Sequence, residues 1–281
     1  MRYVSFHHDG RDGVAEARGS DLHPLVGIRN IDAATDRDAL ANAARQRPLP
    51  RTAVTLRPVS VPAKVIGVGR NYPTPGQQTP ARGYPILFTK FAQSLLAADE
   101  DLCLPIAVHG DYEGEIAVII GKPGRNIPRT RAFEHVLGYA LANDVSIRDY
   151  QHRSSQWLQG KAWDRSCPVG PAIVTPDEFD ASAARLRTWI NGRLVQDGCF
   201  RDLIYPVDEL ISLISEFTEL LPGDIILTGS PHGNGQSFTP PRRLEDGDHI
   251  CVRADGLGAL TTAVSLIASA STTAPATAKI C

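Results

Sequence analysis

The amino-acid sequence predicts an α+β fold that is rich in strands and poor in helices. Short apolar stretches bounded by glycine, proline and aspartate recur along its 281 residues, which is typical of strands separated by turns. The clearest helix is predicted at residues 206–220. Its apolar side chains at helical spacing are Val207, Leu210, Ile211 and Ile214. Strands and helices do not alternate regularly, so the pattern favours α+β over a doubly wound parallel sheet.

The first 60 residues are predicted to form a small β-containing domain followed by a linker. Alternating apolar residues predict short strands within residues 1–30, with a hairpin turn at Asp9-Gly10. The alanine-rich residues 32–46 predict a helix that is capped by Asp32. Prolines then favour an extended chain over residues 47–62, so we expect the first domain to end there.

A larger second domain is predicted for residues 61–267, followed by a flexible tail at 268–281 that is rich in Ala, Ser and Thr. The apolar stretches that predict its strands are 64–69, 86–88, 115–121, 187–192 with 195–197, and 224–227. A second helix is predicted at Arg131 to Leu141, and Asp-Gly turns are predicted at 246–247 and 255–256.

The composition excludes several classes of protein. Hydrophobic residues make up 42% and charged residues 21% of the chain, which is typical of a globular protein. The 29 Lys and Arg residues balance 31 Asp and Glu residues, so we expect no nucleic-acid partner. There is no apolar stretch of about 18 residues, so we expect no membrane span. The five scattered cysteines lack C-x-x-C spacing, which favours reduced thiols, and the N-terminus lacks a signal sequence; we therefore expect a cytoplasmic location.

Two glutamates at the start of a buried strand suggest a site. Glu113 and Glu115 alternate along the strand and therefore point to the same face. Two carboxylates this close repel each other, and a divalent cation with oxygen ligands, Mg²⁺ or Mn²⁺ rather than zinc, would neutralise them. Asp144 could add a third carboxylate, and Lys161 could offset the remaining negative charge. The alternative is an exposed strand edge with two solvated glutamates.

The order and spacing of several motifs resemble the fumarylacetoacetate hydrolase family over roughly residues 60–265. The motifs are GVGRNY (67–72), FTK (88–90), DYEGE (111–115), NDVSIRDYQ (143–151), GKAWD (160–164), CPVGP (167–171), NG (191–192), PGDIILTGSPHG (222–233) and LEDGD (244–248). The resemblance implies a mixed, β-rich fold with the metal site on the second, catalytic domain, usually in a homodimer.

The resemblance also implies roles for individual residues. Glu113, Glu115 and Asp144 match the metal ligands of the family. Lys161 and Asp164 match a Lys–Asp pair beside the metal. The residues that the resemblance assigns to the substrate site are Tyr72, Arg148, Gln151 and Ser230. Ser230 stands where the family has threonine in a Gly-Thr-Pro loop, so a hydroxyl that can donate a hydrogen bond is retained.

The sequence departs from the hydrolytic members of the family at the lid. The positions of their water-activating histidine and glutamate are Pro75 and Gln78 here, and neither side chain can act as a general base. This departure puts hydrolysis in doubt more than it does metal binding. His232, in the glycine-rich loop, is a candidate replacement base; the alternative is a histidine at the rim without a catalytic role.

We therefore expect a Mg²⁺- or Mn²⁺-dependent enzyme that acts on a 2-oxo acid, acylpyruvate or β-dicarbonyl substrate through an enolate. Decarboxylation, tautomerisation, elimination and cyclisation need no activated water, so they are favoured. One alternative is a C–C bond hydrolase that uses His232 or metal-bound water as the base. The other is a pseudoenzyme that keeps the fold and the metal for binding.

Overall fold

The computed structural model describes residues 1–76 and 83–268. Gln78 and the tail beyond Ala268 lie outside these residues. The strands of the described residues are β1 (Arg2–His8), β2 (Arg11–Arg18), β3 (Asp21–Pro24), β4 (Leu49–Pro50), β5 (Thr55–Leu56), β6 (Val65–Gly69), β7 (Ile86–Lys90), β8 (Leu95–Leu96), β9 (Leu102–Pro105), β10 (Gly110–Asp111), β11 (Gly114–Ile120), β12 (Val136–Asn143), β13 (Ser146–Ile147), β14 (Cys167–Val174), β15 (Arg185–Ile190), β16 (Arg193–Cys199), β17 (Ile225–Leu227), β18 (His249–Ala254) and β19 (Gly258–Ile267). The α-helices are α1 (Arg37–Asn42), α2 (Arg148–Gln151), α3 (Leu158–Lys161) and α4 (Val207–Phe217). The predicted α+β class is confirmed.

The largest sheet runs in the order β4-β3-β2-β1-β14-β12-β11-β17-β6-β7, with β5 beside β1 and β8 beside β14. Its N-terminal strands join the rest through β1, which pairs antiparallel with β14 so that Tyr3 lies opposite Ile173. The N-terminal residues and the larger segment thus share one sheet. The division into domains near residue 60 stays a prediction.

The second sheet has the order β16-β15-β18-β19-β9 and packs on one face of the first. The central strands of the large sheet, β11 and β12, are buried along their whole length because apolar side chains cover both faces. They pair antiparallel with Gly114 opposite Asn143. The residues that flank this pair, Glu113 and Asp144, therefore meet at the same end of the sheet.

Several local predictions are confirmed. The helix expected at 206–220 is α4, which buries its apolar face in the core. The hairpin at Asp9-Gly10 joins β1 to β2, and both turn residues have positive φ, 48° and 73°. The glycines of the two later Asp-Gly turns also have positive φ, 80° at Gly247 and 84° at Gly256, a conformation that glycine adopts without steric cost. The strands within 47–62 are short, in keeping with its prolines.

The helix predicted at Arg131 to Leu141 is wrong. Residues Arg129–His135 form a 3₁₀-helix, and Val136–Asn143 form strand β12. The strand lies in the centre of the sheet and is buried on both faces, so it lacks the polar–apolar alternation that marks a half-exposed strand.

The helix predicted at 32–46 is much shorter in the structure. It covers Arg37–Asn42, and its cap is Asp36, whose Oδ1 accepts a hydrogen bond from Ala39 N at 2.8 Å. Asp32 instead closes a turn by accepting from Ala34 N at 2.9 Å. Both aspartates fit the helix-start pattern, and the sequence did not distinguish them.

None of the helices in residues 1–76 and 83–268 has the length and apolar character needed to cross a membrane. Within the same residues, the cysteines at positions 103, 167, 199 and 251 form no disulfide. Burial raises the pKa of the Cys167 thiol to about 12, so this cysteine is unreactive and serves packing.

Replacing Gly114 by alanine should destabilise the fold. A Cβ at this position would lie 2.1 Å from Thr188 Oγ1, inside the packed contact between the two sheets. We expect Gly114→Ala to lower the free energy of unfolding by about 2 kcal/mol, measured by urea denaturation, because overpacking forces neighbours to shift. The matched control is Gly83→Ala, whose Cβ would meet nothing within 4 Å. Equal stability of the two variants would contradict this account of Gly114.

Candidate metal centre

Three buried carboxylates meet at the end of β11 and β12. Glu113 precedes β11, Glu115 is its second residue, and Asp144 follows β12. One oxygen of each lies within 4.8 Å of the others, and the residues are only 8%, 2% and 0% exposed. Asp144 N donates to Glu113 O at 2.8 Å, which fixes the two backbones together. The alternative of an exposed strand edge with solvated glutamates does not apply.

The donor set of this cluster fits a hard divalent cation. Carboxylate oxygens are the ligands that Mg²⁺ and Mn²⁺ prefer, whereas zinc favours nitrogen and sulfur. Burial and then the negative charge of Asp144 raise the pKa of Glu115 well above its usual value. A cation among these oxygens would remove this repulsion, so the residues present fit a divalent metal.

Two lysines contact the carboxylates of this cluster. Lys161 Nζ donates to Glu113 Oε2 at 2.5 Å and also to Asp144 Oδ2. Lys90, at the end of β7, is fully buried, and its Nζ lies 2.9 Å from Asp144 Oδ1. Burial alone would lower the pKa of Lys161, but the charges of Asp144 and Glu113 outweigh it and raise that pKa. Lys161 therefore stays protonated.

Arg148 connects the cluster to a fourth acidic residue, Asp111. Its guanidinium donates to Asp111 Oδ2 at 2.9 Å, to Glu113 Oε1 at 2.5 Å and to Gln151 Oε1 at 2.7 Å. Burial alone would raise the pKa of Glu113, but the charges of Arg148 and Lys161 outweigh it, so the pKa of this carboxyl lies well below its usual range. The pKa values of Glu113 and Glu115 are thus shifted in opposite directions although the two residues are only two positions apart.

Close packing of two short helices positions Lys161 beside the carboxylates. Helix α3 ends at Lys161 and lies against α2, which begins at Arg148. A Cβ on Gly160 would lie 2.7 Å from Gln151 Cα, so only glycine allows the two helices to approach this closely. The Gly-Lys pair therefore places the lysine beside the arginine.

The glycine-rich loop at 229–235 is tied to the carboxylates at both ends. Gly229 N donates to Glu115 Oε2 at 2.8 Å, and Asn234 Nδ2 donates to Glu113 Oε1 at 3.2 Å. The middle of the loop is held by Gln196, whose Nε2 donates to Pro231 O at 2.8 Å. His232 and Ser230 lie between these anchors, so the loop holds both near the carboxylates.

A cavity of about 670 Å³ opens above the carboxylates. The predicted site residues that line it are Tyr72, Glu113, Glu115, Asp144, Arg148, Gln151, Lys161, Ser230 and His232. The Tyr72 hydroxyl is buried and has no hydrogen-bond partner among the described residues, and burial raises its pKa, so it stays protonated. His232 is exposed at the rim, with its Nδ1 3.5 Å from Ser237 Oγ.

Asp164 is the predicted site residue that the structure does not bring to this cavity. It is exposed in a turn three positions beyond Lys161 and lies outside the residues that line the cavity. On the lid side, Pro73 and Thr74 line the cavity, and Pro75 does not.

Sequence reasoning missed three residues of the site. Lys90 was part of a quoted motif, but no role was predicted for it. A lysine that ends an apolar strand is a signal for a buried ion pair, although its partner cannot be read from the sequence. Asp111 and Asn234, which bind Arg148 and Glu113, were missed because their contacts span 37 and 121 positions along the chain.

Comparison with known proteins agrees with this geometry. The sequence model described as fumarylacetoacetate (FAA) hydrolase C-terminal matches residues 64–265, more than two thirds of the chain. The chain belongs to the fumarylacetoacetate hydrolase family. The predicted resemblance is therefore confirmed.

Relatives in the family include tautomerases, isomerases and hydrolases. The human mitochondrial oxaloacetate tautomerase FAHD2A is 41% identical over 227 residues, which is 78% of this chain and 72% of that protein. The crystal structure of 5-carboxymethyl-2-hydroxymuconate delta-isomerase from Mycobacterium smegmatis has a TM-score of 0.82 and 32% identity, and the match covers 95% of this chain and 100% of that one. Maleylpyruvate hydrolase from Sphingobium, solved with manganese(II) and pyruvate, has a TM-score of 0.75 and 28% identity, covering 95% and 99%.

The opposite pKa shifts of the two glutamates predict opposite pH effects in metal-free protein. The pKa of Glu115 is raised, so as the pH rises above its ordinary value of 4.5 the folded state keeps a proton that the unfolded state has lost, and stability falls. Glu115→Gln removes this loss. We expect it to be more stable than the wild type at pH 8, by more than about 1 kcal/mol, and the gap to shrink at pH 5.

The matched variant is Glu113→Gln. The pKa of Glu113 is lowered, so its stabilisation is present above pH 4.5 and is lost as the pH falls further. Loss of the Glu113 carboxylate leaves Arg148 and Lys161 without this partner. It should lower the free energy of unfolding by about 3 kcal/mol at pH 8. Urea denaturation with a chelator at pH 5 and pH 8 measures both. The assignment fails if Glu115→Gln destabilises the protein equally at the two values.

Proposed function

We propose that the protein is a divalent-metal-dependent enzyme that catalyses keto–enol tautomerisation of a 2-oxo acid. The observation that carries the proposal is the buried group of three carboxylates at the floor of a 670 Å³ cavity, held by protonated lysine and arginine side chains. The named activities of the relatives, tautomerase and isomerase among them, support a reaction that moves a proton without cleaving a carbon–carbon bond.

Glu113, Glu115 and Asp144 would hold Mg²⁺ or Mn²⁺. When bound there, the metal supplies Lewis-acid polarisation of the 2-oxo group and offsets negative charge on the enolate. Lys161 adds a fixed positive charge beside the same oxygens, because its ammonium group contacts both Glu113 and Asp144. The manganese in the related maleylpyruvate hydrolase supports a metal of this class.

The protein groups that move or hold protons line the same cavity. In the forward step the C3–H bond breaks, its electron pair forms the C2–C3 double bond, the C2–O π pair moves to the 2-oxygen, and that oxygen then takes a proton from solvent. The imidazole of His232 is the group that we assign to take the C3 proton, because the loop on either side of it is fixed to Glu115 and Glu113. Tyr72 keeps its proton and can donate a hydrogen bond to the 2-oxygen, since its buried hydroxyl has no other partner in the described part of the chain.

Hydrolysis of a C–C bond is the second candidate. The hydrolases among the relatives favour it, and Pro75 disfavours it because proline cannot activate water. Incubation of an acylpyruvate in ¹⁸O-water separates the two, since hydrolysis places label in the product acid and tautomerisation does not. A pseudoenzyme would bind metal and a 2-oxo acid without turnover. The homodimer and the cytoplasmic location stay predictions.

Loss of a proposed metal ligand should remove metal binding and activity together. We expect Asp144→Asn to weaken Mn²⁺ binding at least about 100-fold, measured by electron paramagnetic resonance of free Mn²⁺, and to abolish solvent exchange of the C3 protons of oxaloacetate in D₂O. Asp164→Asn is the matched control and should keep its Mn²⁺ affinity, since Asp164 is exposed outside the cavity. Full exchange by Asp144→Asn in the presence of chelator would refute the metal-dependent reaction.

Replacement of His232 should affect proton transfer but not metal binding. We expect His232→Asn to slow C3 exchange by about 100-fold, the usual contribution of a general base, with Mn²⁺ affinity unchanged. His152, the other histidine that lines the cavity, provides the control His152→Asn, which should retain most of the exchange rate. If His232→Asn exchanges the C3 protons at the wild-type rate and His152→Asn exchanges them slowly, the general base is His152 and not His232.

A further inference from the structure

The cavity contains one cationic side chain that the site does not use. Three lysine or arginine residues line it: Arg70, Arg148 and Lys161. Arg148 is bound to Asp111 and Glu113, and Lys161 is bound to Glu113 and Asp144, as described above. Arg70 has no hydrogen bond or ion pair with any other residue in 1–76 and 83–268. It is therefore the cation in the lining that is free to bind an anion.

Local structure holds Arg70 at the rim. It follows β6 directly and has a φ of 55°, a left-handed conformation that non-glycine residues rarely adopt. The preceding residue, Gly69, packs flat on an indole ring, because a Cβ there would lie 2.3 Å from Trp157 Cζ3. The Arg70 guanidinium lies over the same ring, with Cζ 6.0 Å from the centroid. A guanidinium above an aromatic face keeps its N–H groups at the edge, where a carboxylate can accept them in pairs.

The charge balance of the site leaves a second carboxylate of a substrate without a counter-charge. Once the metal ligands are ionised, the site has four acids, Asp111, Glu113, Glu115 and Asp144, against three buried cations, Lys90, Lys161 and Arg148, so the protein groups carry an excess of one negative charge. A divalent metal turns this into one positive charge, which the 2-oxo carboxylate of a substrate neutralises. A second carboxylate on the substrate would then have no partner inside the site, and Arg70 is the permanent cation that the cavity offers.

We propose that Arg70 binds a second carboxylate of the substrate and so makes the enzyme selective for 2-oxo dicarboxylates over 2-oxo monocarboxylates. This inference rests on the proposed function, because it takes the 2-oxo carboxylate to lie at the carboxylate cluster. Arg70 acts on binding and takes no part in the proton transfer, so its effect falls on KM rather than on kcat.

The test compares oxaloacetate with 2-oxobutanoate, which have the same number of carbon atoms and differ in a terminal carboxylate against a methyl group. We expect Arg70→Gln to raise KM for oxaloacetate by 10- to 100-fold in the C3 exchange assay with Mg²⁺, with kcat changed less than threefold. The kcat/KM for 2-oxobutanoate should stay within twofold of the wild type. Arg70→Lys, which keeps the charge but not the paired donors, should fall between the wild type and Arg70→Gln for oxaloacetate.

The control variant is Arg153→Gln. Arg153 also lies over an aromatic ring, with Cζ 3.5 Å from the centroid of Tyr150, but it does not line the cavity. It should leave both substrates unaffected. An Arg70→Gln enzyme that loses the same factor on both substrates, or that keeps the wild-type KM for oxaloacetate, would overturn the proposal.

Equilibrium binding separates this proposal from the proposed reaction. If the wild type exchanges neither substrate but binds oxaloacetate more tightly than 2-oxobutanoate, and Arg70→Gln removes that difference, then the reaction is wrong and the role of Arg70 is supported. If the wild type binds the two acids equally, the role of Arg70 is wrong whether or not exchange occurs.

Discussion

The burial of several like charges at one end of a sheet is the constraint on which the site depends. An unpaired buried carboxylate costs far more free energy than one ion pair normally returns, so each acid here needs a cation or a hydrogen-bond donor close by. Separate elements meet this need: β7 provides Lys90, α2 provides Arg148, α3 provides Lys161, and the loop at 229–235 provides backbone and amide N–H groups. The arrangement of these elements around β11 and β12 follows from that requirement.

The sheet and the connecting loops contribute different groups of residues to the site. The carboxylates and their counter-charges lie on strands, directly beside strand ends, or on short helices packed against strands, where neighbouring backbones fix them. Tyr72, Ser230, His232 and Arg70 lie on connections at the mouth of the cavity. Changes on these connections can therefore alter which substrate binds, or how its proton moves, while the carboxylate cluster stays in place.

Prediction from the sequence worked where the signal was local. Glu113 and Glu115 lie two positions apart where β11 begins, α4 has its apolar residues at helical spacing, and the Asp-Gly turns need left-handed backbone; each pattern lies within a few residues. The interpretation of 136–141 as helix failed because a strand buried on both faces has no alternation. Lys90 was missed because its role comes from Asp144, 54 positions away in the chain. The placement of Asp164 away from the cavity depends on the turn after α3, which no pattern specified.

The position of Trp157 has an optical consequence. Its indole contacts Phe88, with ring centroids 5.8 Å apart, lies under Arg70, and lines both the site cavity and an adjacent apolar groove of about 760 Å³. The chain has three tryptophans, and the other two, Trp163 and Trp189, do not line either space. Indole emission depends on nearby charge and solvent, so the protein contains its own fluorescent reporter at the mouth of the site.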